Sequence, residues 1–262
     1  MPTFDPEFAL DLSVRLSAIG VVISGLEMLQ ISPHFTANGV FSLESSAAFG
    51  RSRRWSRWAD CLLRPALLLQ TLSALALVFL GPLSIAGRLS LLMCLSATIL
   101  VRYRRLLGGD GAEQMATIIM VAAALAVFPW HEDSRIVASV TFISAQLCLS
   151  YFAAGVAKFV SPIWRRGEAL RLILSTETHG NPWATRLLEE HQTVAWGGCW
   201  AVILFETLFP LAIFGPQEVL TIALAIGFLF HLGCATMMGL NSFLWSFPAA
   251  YPCLIATVTY WR

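Results

Sequence analysis

Three side chains could do chemistry in this sequence: Lys158, Glu206 and His231. Of the 17 basic residues, 16 are arginine, and Lys158 is the single lysine. A desolvated lysine can lose its proton, whereas arginine effectively cannot, so a site that needs a neutral amine as base or nucleophile must use lysine. The competing reading is a snorkelling anchor at a helix end. Glu206 lies deep in the apolar run Trp200-Ala-Val-Ile-Leu-Phe-Glu-Thr-Leu-Phe-Pro210. A carboxyl there is either a proton carrier or a polar link between helices, and it stays neutral unless a cation pairs with it. His231 follows Phe228-Leu-Phe230 in another apolar run, as a hydrogen-bonded core residue or as part of a site. Asn241 and Ser242, at the end of that run, are candidates to line a polar pocket.

Other ionisable residues in apolar segments have simpler readings. Asp11 and Arg15 stand at i, i+4, the spacing of an intrahelical ion pair. Arg64 and Arg88 lie near the ends of apolar runs and can snorkel to the headgroups. The role of Glu27 is open. The six cysteines form no CxxC and read as small packing residues. The five histidines are scattered and form no metal-ligand spacing.

The elements that must hold these residues are membrane helices. The chain has 262 residues, 57% of them apolar and only 13% charged, against roughly 25% charged residues in soluble domains. A net charge of +1 offers nothing to nucleic acid. A span needs about 20 mostly apolar residues. Eight segments qualify: Phe8–Ile31, Cys61–Leu80, Leu83–Val101, Ala112–Trp130, Ile136–Phe159, Val194–Phe214, Val219–Leu240 and Phe243–Tyr260. The last is interrupted by Pro248 and Pro252. The expected fold is all-α: a polytopic transmembrane bundle of about eight spans, one integral membrane domain over residues 1–262 with no extramembrane domain. The acidic start (Asp5, Glu7) argues against a cleaved signal peptide.

Three longer connections concentrate the arginines. Ser32–Asp60 holds Arg51, Arg53, Arg54 and Arg57 with Trp55 and Trp58, a mix that suits an interfacial helix. Arg102–Gly111 holds Arg102, Arg104 and Arg105, and Ser161–Thr193 holds Arg165, Arg166, Arg171 and Arg186. Positive residues favour the cytoplasmic side. With eight spans these connections fall on one side and both termini on the other. Arginine-rich usage and small size point to a multi-pass protein of a bacterial inner membrane.

The segment Tyr151-Phe-Ala-Ala-Gly-Val-Ala-Lys-Phe-Val-Ser-Pro-Ile-Trp-Arg-Arg-Gly-Glu-Ala-Leu170 resembles the signature of the HTTM family, the transmembrane part shared with vitamin K-dependent gamma-glutamyl carboxylase. Tyr151, Phe152, Gly155, Lys158, Trp164 and Gly167 carry it; Glu206 with Pro210, and Phe230-His231, follow in similar order. The resemblance implies that Lys158 is the base that deprotonates a lipid quinol such as vitamin K hydroquinone. Oxygen then turns the quinol into an epoxide through a strongly basic alkoxide, which takes a proton from a glutamate γ carbon, and carbon dioxide adds. It implies that His231 belongs to the same site, with Tyr151, Gly155, Trp164 and Gly167 shaping the pocket. The motif departs from the carboxylase at Ala157, where a second lysine stands. A further active-site histidine has no counterpart in 108–114, where Asp110 and Glu113 are the candidates to serve instead.

Two functions follow as expectations. One is a carboxylase-like enzyme that uses a lipid-soluble quinol, with Lys158, His231 and Glu206 as catalytic residues. The other is a non-enzymatic membrane helper in maturation, export or immunity for a secreted peptide, with a peptide or protein partner besides the bilayer. An internal repeat or paired broken helices, the marks of many transporters, are not evident.

Overall fold

The structure is a computed structural model and describes residues 5–35, 53–104, 109–129 and 132–262. It is all-helical over these residues. The helices are α1 (Pro6–Ile31), α2 (Arg53–Leu80), α3 (Ile85–Arg104), α4 (Gly111–Val127), α5 (Asp133–Val160), α6 (Pro162–Arg165), α7 (Ala169–Leu174), α8 (Pro182–Glu190), α9 (Gln192–Leu208), α10 (Gln217–Met238), α11 (Asn241–Ser246) and α12 (Tyr251–Trp261). Short 3-10 turns cover Ser32–Phe35, Phe209–Phe214 and Pro248–Ala250.

Among the described residues, six helical stretches are long and apolar enough to cross a membrane: Pro6–Phe35, Asp60–Leu80, Ile85–Tyr103, Asp133–Val160, Gln192–Phe214 and Gln217–Met238. This is the make-up of a multi-pass membrane protein. The outside of the bundle agrees with it. Phe79, Ile85, Ile99 and Phe214 are each at least 66% exposed, a surface that suits lipid rather than water.

Two of the eight expected spans have a different form. The run over 112–130 gives α4, whose 17 residues reach about 25 Å at 1.5 Å per residue; Trp130 lies outside the described residues. The run over 243–260 is no single helix. Pro248 opens a 3-10 turn and Pro252 lies in the first turn of α12, so the segment divides into α11, the turn and α12. Proline lacks the N–H that a continuous helix would use there. The connection Ser161–Thr193 folds into the short helices α6, α7 and α8 before α9 begins at Gln192. Of the cluster expected to form an interfacial helix within Ser32–Asp60, Arg53, Arg54, Trp55, Arg57 and Trp58 fall in the backbone of α2, while residues 36–52, Arg51 among them, and Arg105 lie outside the described residues. Residues 53–60 form the first turns of α2 itself.

Small residues let the central helices approach. The buried face of α4 is Ala112, Met115, Ala116, Ile119, Met120, Ala122, Ala123, Ala126 and Val127, and small side chains are what close helix packing in lipid uses. α4 packs on α5, α1 and α11, while α5 also packs on α9 and α12. Asp110 caps the start of α4, accepting from the Glu113 N–H at 2.8 Å. The expected pair on α1 forms: Arg15 Nε lies 2.6 Å from Asp11 Oδ2. Arg15 Nη1 also donates to the carbonyls of Val78 and Phe79, at 2.8 and 2.9 Å, and so pins α1 to the last turn of α2.

Candidate functional site

Each chemistry-bearing residue stands on the one inward stripe of its helix. The stripe of α5 runs Ile136, Val140, Ile143, Leu147, Tyr151 and Gly155, all buried, and half-buried Lys158 follows three residues on. Steps of three and four keep a residue on one helical face. On α9 the buried residues are Ala195, Cys199, Ile203 and Glu206. On α10 they are Leu220, Gly227 and His231, and the rest of that helix faces outward or lies at the margin.

The α5 and α9 stripes meet where Gly155 crosses Thr207. A Cβ on Gly155 would come within 2.5 Å of the Thr207 backbone nitrogen and Oγ1 and 2.9 Å of the Glu206 carbonyl carbon. The bare glycine thus lets the two backbones approach. One turn further, Lys158 Nζ donates to Glu206 Oε2 at 2.6 Å. The Lys158 side chain is 21% exposed and that of Glu206 only 5%. An unpaired carboxylate at that depth would cost several kcal/mol; the amine compensates it. Both readings of Glu206, proton carrier and helix link, are compatible with this pair.

The segment after Lys158 folds back over it. Lys158 Nζ lies 5.3 Å from the centroid of the Trp164 ring, within cation–π range. Gly167 has φ +81°, in the left-handed region, and a Cβ there would sit 2.6 Å from Trp196 Cα. The turn that brings Trp164 over the amine therefore tolerates only glycine at 167.

On the other side of the pair a cavity of about 480 Å³ opens among α4, α5, α9, α10 and α11. Tyr151, Lys158, Glu206, His231 and Cys234 all line it. Tyr151 is 2% exposed, and its hydroxyl lies 2.7 Å from His231 Nε2 and 3.0 Å from the Tyr251 hydroxyl. The His231 ring stacks on Phe247 at 4.7 Å between centroids, and the Phe243 and Phe247 rings are parallel within 4°. His231 Nδ1 is buried and has no hydrogen-bond partner among the described residues.

Tyr151, Lys158, Glu206 and His231 therefore share one cavity, whereas Gly155, Trp164 and Gly167 do not line it. Asp110, Glu113 and Asn241 stand elsewhere. Asp110 is an exposed helix cap. Glu113 lines a separate cavity of about 50 Å³ among α1, α2, α3, α4 and α11, and its carbonyl accepts from Arg102. Asn241 donates to Glu27 Oε1 at 3.1 Å, tying the start of α11 to α1; this also gives Glu27 a role. The residues that reach the cavity from the 110–114 stretch are Gly111 and Gln114.

Several residues of the site escaped sequence reading. Cys234 reads as packing, although it stands one turn beyond His231 and so shares its face. Phe243 and Phe247 have an i, i+4 spacing that would have placed them together, but not against His231. Tyr251 lies between two prolines, and no local signal links it to Tyr151. No known protein family, curated protein or solved structure matches the chain.

Proposed function

We propose that this chain is an eight-span membrane enzyme that binds a lipid-soluble quinol in the cavity and takes a hydroxyl proton from it on the Lys158–Glu206 pair. The single observation that carries the reading is that pair, an amine and a carboxyl 2.6 Å apart on the wall of a cavity of about 480 Å³ between apolar helices. The volume suits a small-molecule site. The lining is largely apolar, and its polar side chains besides the pair include Gln114, Gln146, Ser150, Tyr151 and His231.

The pair works as one acid–base unit. Ammonium with carboxylate, and amine with carboxylic acid, differ only in where one proton sits. Either form accepts one more proton and then holds ammonium and carboxylic acid side by side. A quinol hydroxyl hydrogen-bonded to the pair would lose its proton this way and leave an electron-rich quinolate against the aromatic wall. Lysine suits the task because only it can supply the amine–carboxylic acid form, in which the stronger base, the neutral amine, takes the proton; arginine would leave the weakly basic carboxylate alone to accept it. The resemblance to the carboxylase membrane domain supports the same assignment for Lys158. It suggests molecular oxygen as the oxidant and vitamin K hydroquinone or another lipid quinol as the reductant. In this reading α4 and the α11–α12 segment complete the eight crossings, and the arginine-rich connections face the cytoplasm.

The test is quinol-dependent oxygen uptake by the purified protein in lipid nanodiscs, with reduced 2-methyl-1,4-naphthoquinone as substrate. Wild type is expected to accelerate uptake, and Lys158→Arg and Lys158→Met to lose at least 10-fold of that rate. Equal rates in wild type and Lys158→Arg would overturn the enzyme reading and favour the membrane-helper role, for which a cation at 158 is enough.

A further inference from the structure

The hydrogen-bond chain Tyr251–Tyr151–His231 constrains which imidazole nitrogen carries the proton. Each tyrosine has one hydroxyl proton, and a neutral imidazole has one N–H. Tyr151 contacts both neighbours, at 3.0 Å to the Tyr251 hydroxyl and 2.7 Å to His231 Nε2. Among the described residues, the Tyr251 hydroxyl has Tyr151 as its only hydrogen-bond partner, and Nδ1 of His231 has none.

Three arrangements of the protons are open to this chain. In the first, Tyr251 donates to Tyr151, Tyr151 donates to Nε2, and Nδ1 carries the imidazole proton. One polar atom, the Nδ1–H, is then unsatisfied. In the second, Nε2–H donates to Tyr151 and Tyr151 donates to Tyr251. The Tyr251 proton and the Nδ1 lone pair are then both left without partners. In the third, Tyr151 accepts from both sides, and its own proton and the Nδ1 lone pair are stranded. All three rings are buried, and a buried donor without an acceptor costs its full desolvation. The first arrangement leaves the fewest groups in that state.

We infer that Tyr251 and Tyr151 hold His231 as the Nδ1–H tautomer and thereby make it a hydrogen-bond donor for an oxygen acceptor on a ligand in the cavity. The tyrosines are positioning residues that act through the imidazole. The ligand group that fits an orphaned N–H beside a flat aromatic wall is a carbonyl or phenolate oxygen on an aromatic ring. Naming a quinone carbonyl or quinolate oxygen as that group rests on the function proposed above; the tautomer itself does not. Gly227 is part of the device. It lies one turn before His231, and a Cβ there would collide with the Tyr251 hydroxyl and sit 3.2 Å from that of Tyr151. The bare α10 backbone is what lets both phenols reach the histidine.

The experiment is nitrogen-15 NMR of histidine-labelled protein in lipid nanodiscs without added ligand. The signals of His231 among the five histidines are assigned by their loss in His231→Gln. Wild type is expected to show a protonated Nδ1 and a bare Nε2, the reverse of the tautomer that histidine prefers in water. In Tyr151→Phe the Nε2–H form is expected to become the major one; Tyr251→Phe, which keeps the Tyr151 contact, is expected to give a mixture. A wild-type His231 protonated on Nε2, or a tautomer that stays Nδ1–H in Tyr151→Phe, overturns the inference. Because no quinol is present, a protein inactive in the oxygen-uptake assay still reports its tautomer. Failure of the enzyme reading and failure of the relay are thus separate results.

Discussion

Lys158 on α5 and Glu206 on α9 are joined at 2.6 Å across the crossing point that Gly155 makes narrow. In the proposed function the pair does two jobs in the same place: it ties two helices together inside an apolar bundle, and it presents a shared proton to the cavity that both residues line. Substitutions can separate these jobs.

Removing one partner leaves the other buried alone. Lys158→Met should destabilise the protein by about 2 kcal/mol, less than the ~3–5 kcal/mol typical of a broken buried pair, because the Lys158 side chain is 21% exposed and water can replace part of its contact. The double variant Lys158→Met/Glu206→Leu should recover most of that loss, since an apolar pair of similar volume needs no compensation. Its quinol-dependent activity should stay absent. Reversible SDS unfolding beside the oxygen-uptake assay checks both; a double variant no more stable than the single one would mean that the pair adds stability beyond its own desolvation.

Gly155→Ala tests the crossing. The new methyl would land 2.5 Å from the Thr207 nitrogen, so α5 and α9 must move apart. Overpacking of this kind costs about 1–3 kcal/mol. The shift should also lengthen the Lys158–Glu206 contact, so that activity falls at temperatures where the variant is still folded. Unfolding midpoints and activity measured on the same preparation give the answer.

Trp164 covers the amine, and Lys158 is the only lysine in the chain. Once the chain's α-amino group is blocked, an amine-reactive label reports this one side chain. Trp164→Ala should raise the labelling rate roughly two- to fivefold, the equivalent of the ~0.5–1 kcal/mol of an exposed cation–π contact. An unchanged rate would mean that the Glu206 contact alone controls access to the amine.

Arg15 holds Asp11 and two carbonyls of the last turn of α2. Arg15→Met strands those acceptors and Asp11 together, and a loss of about 1–3 kcal/mol is expected. No residue of α1 lines the cavity, so the activity of the folded variant should match wild type. SDS unfolding and oxygen uptake measured side by side separate the two effects.

Local periodicity alone placed much of this in the sequence. Asp11 and Arg15 pair because four residues is one helical turn, a distance that the backbone sets without help from the fold. Tyr151, Gly155 and Lys158 share a face for the same reason, and the prolines at 248 and 252 mark where the last apolar run breaks. The partners were a different matter. Glu206 lies 48 residues from Lys158, and His231 and Tyr251 lie 80 and 100 residues from Tyr151. No spacing rule reaches that far. Which stripes meet depends on the rotation and register of every helix in the bundle, and those are set by the summed fit of small and large side chains at each crossing, as at Gly155 on Thr207 and Gly227 on the two phenols. The same packing turned Glu113 toward a second cavity and Asn241 toward Glu27. The residues capable of chemistry were legible in the chain, while their assembly into one cavity was decided by tertiary packing.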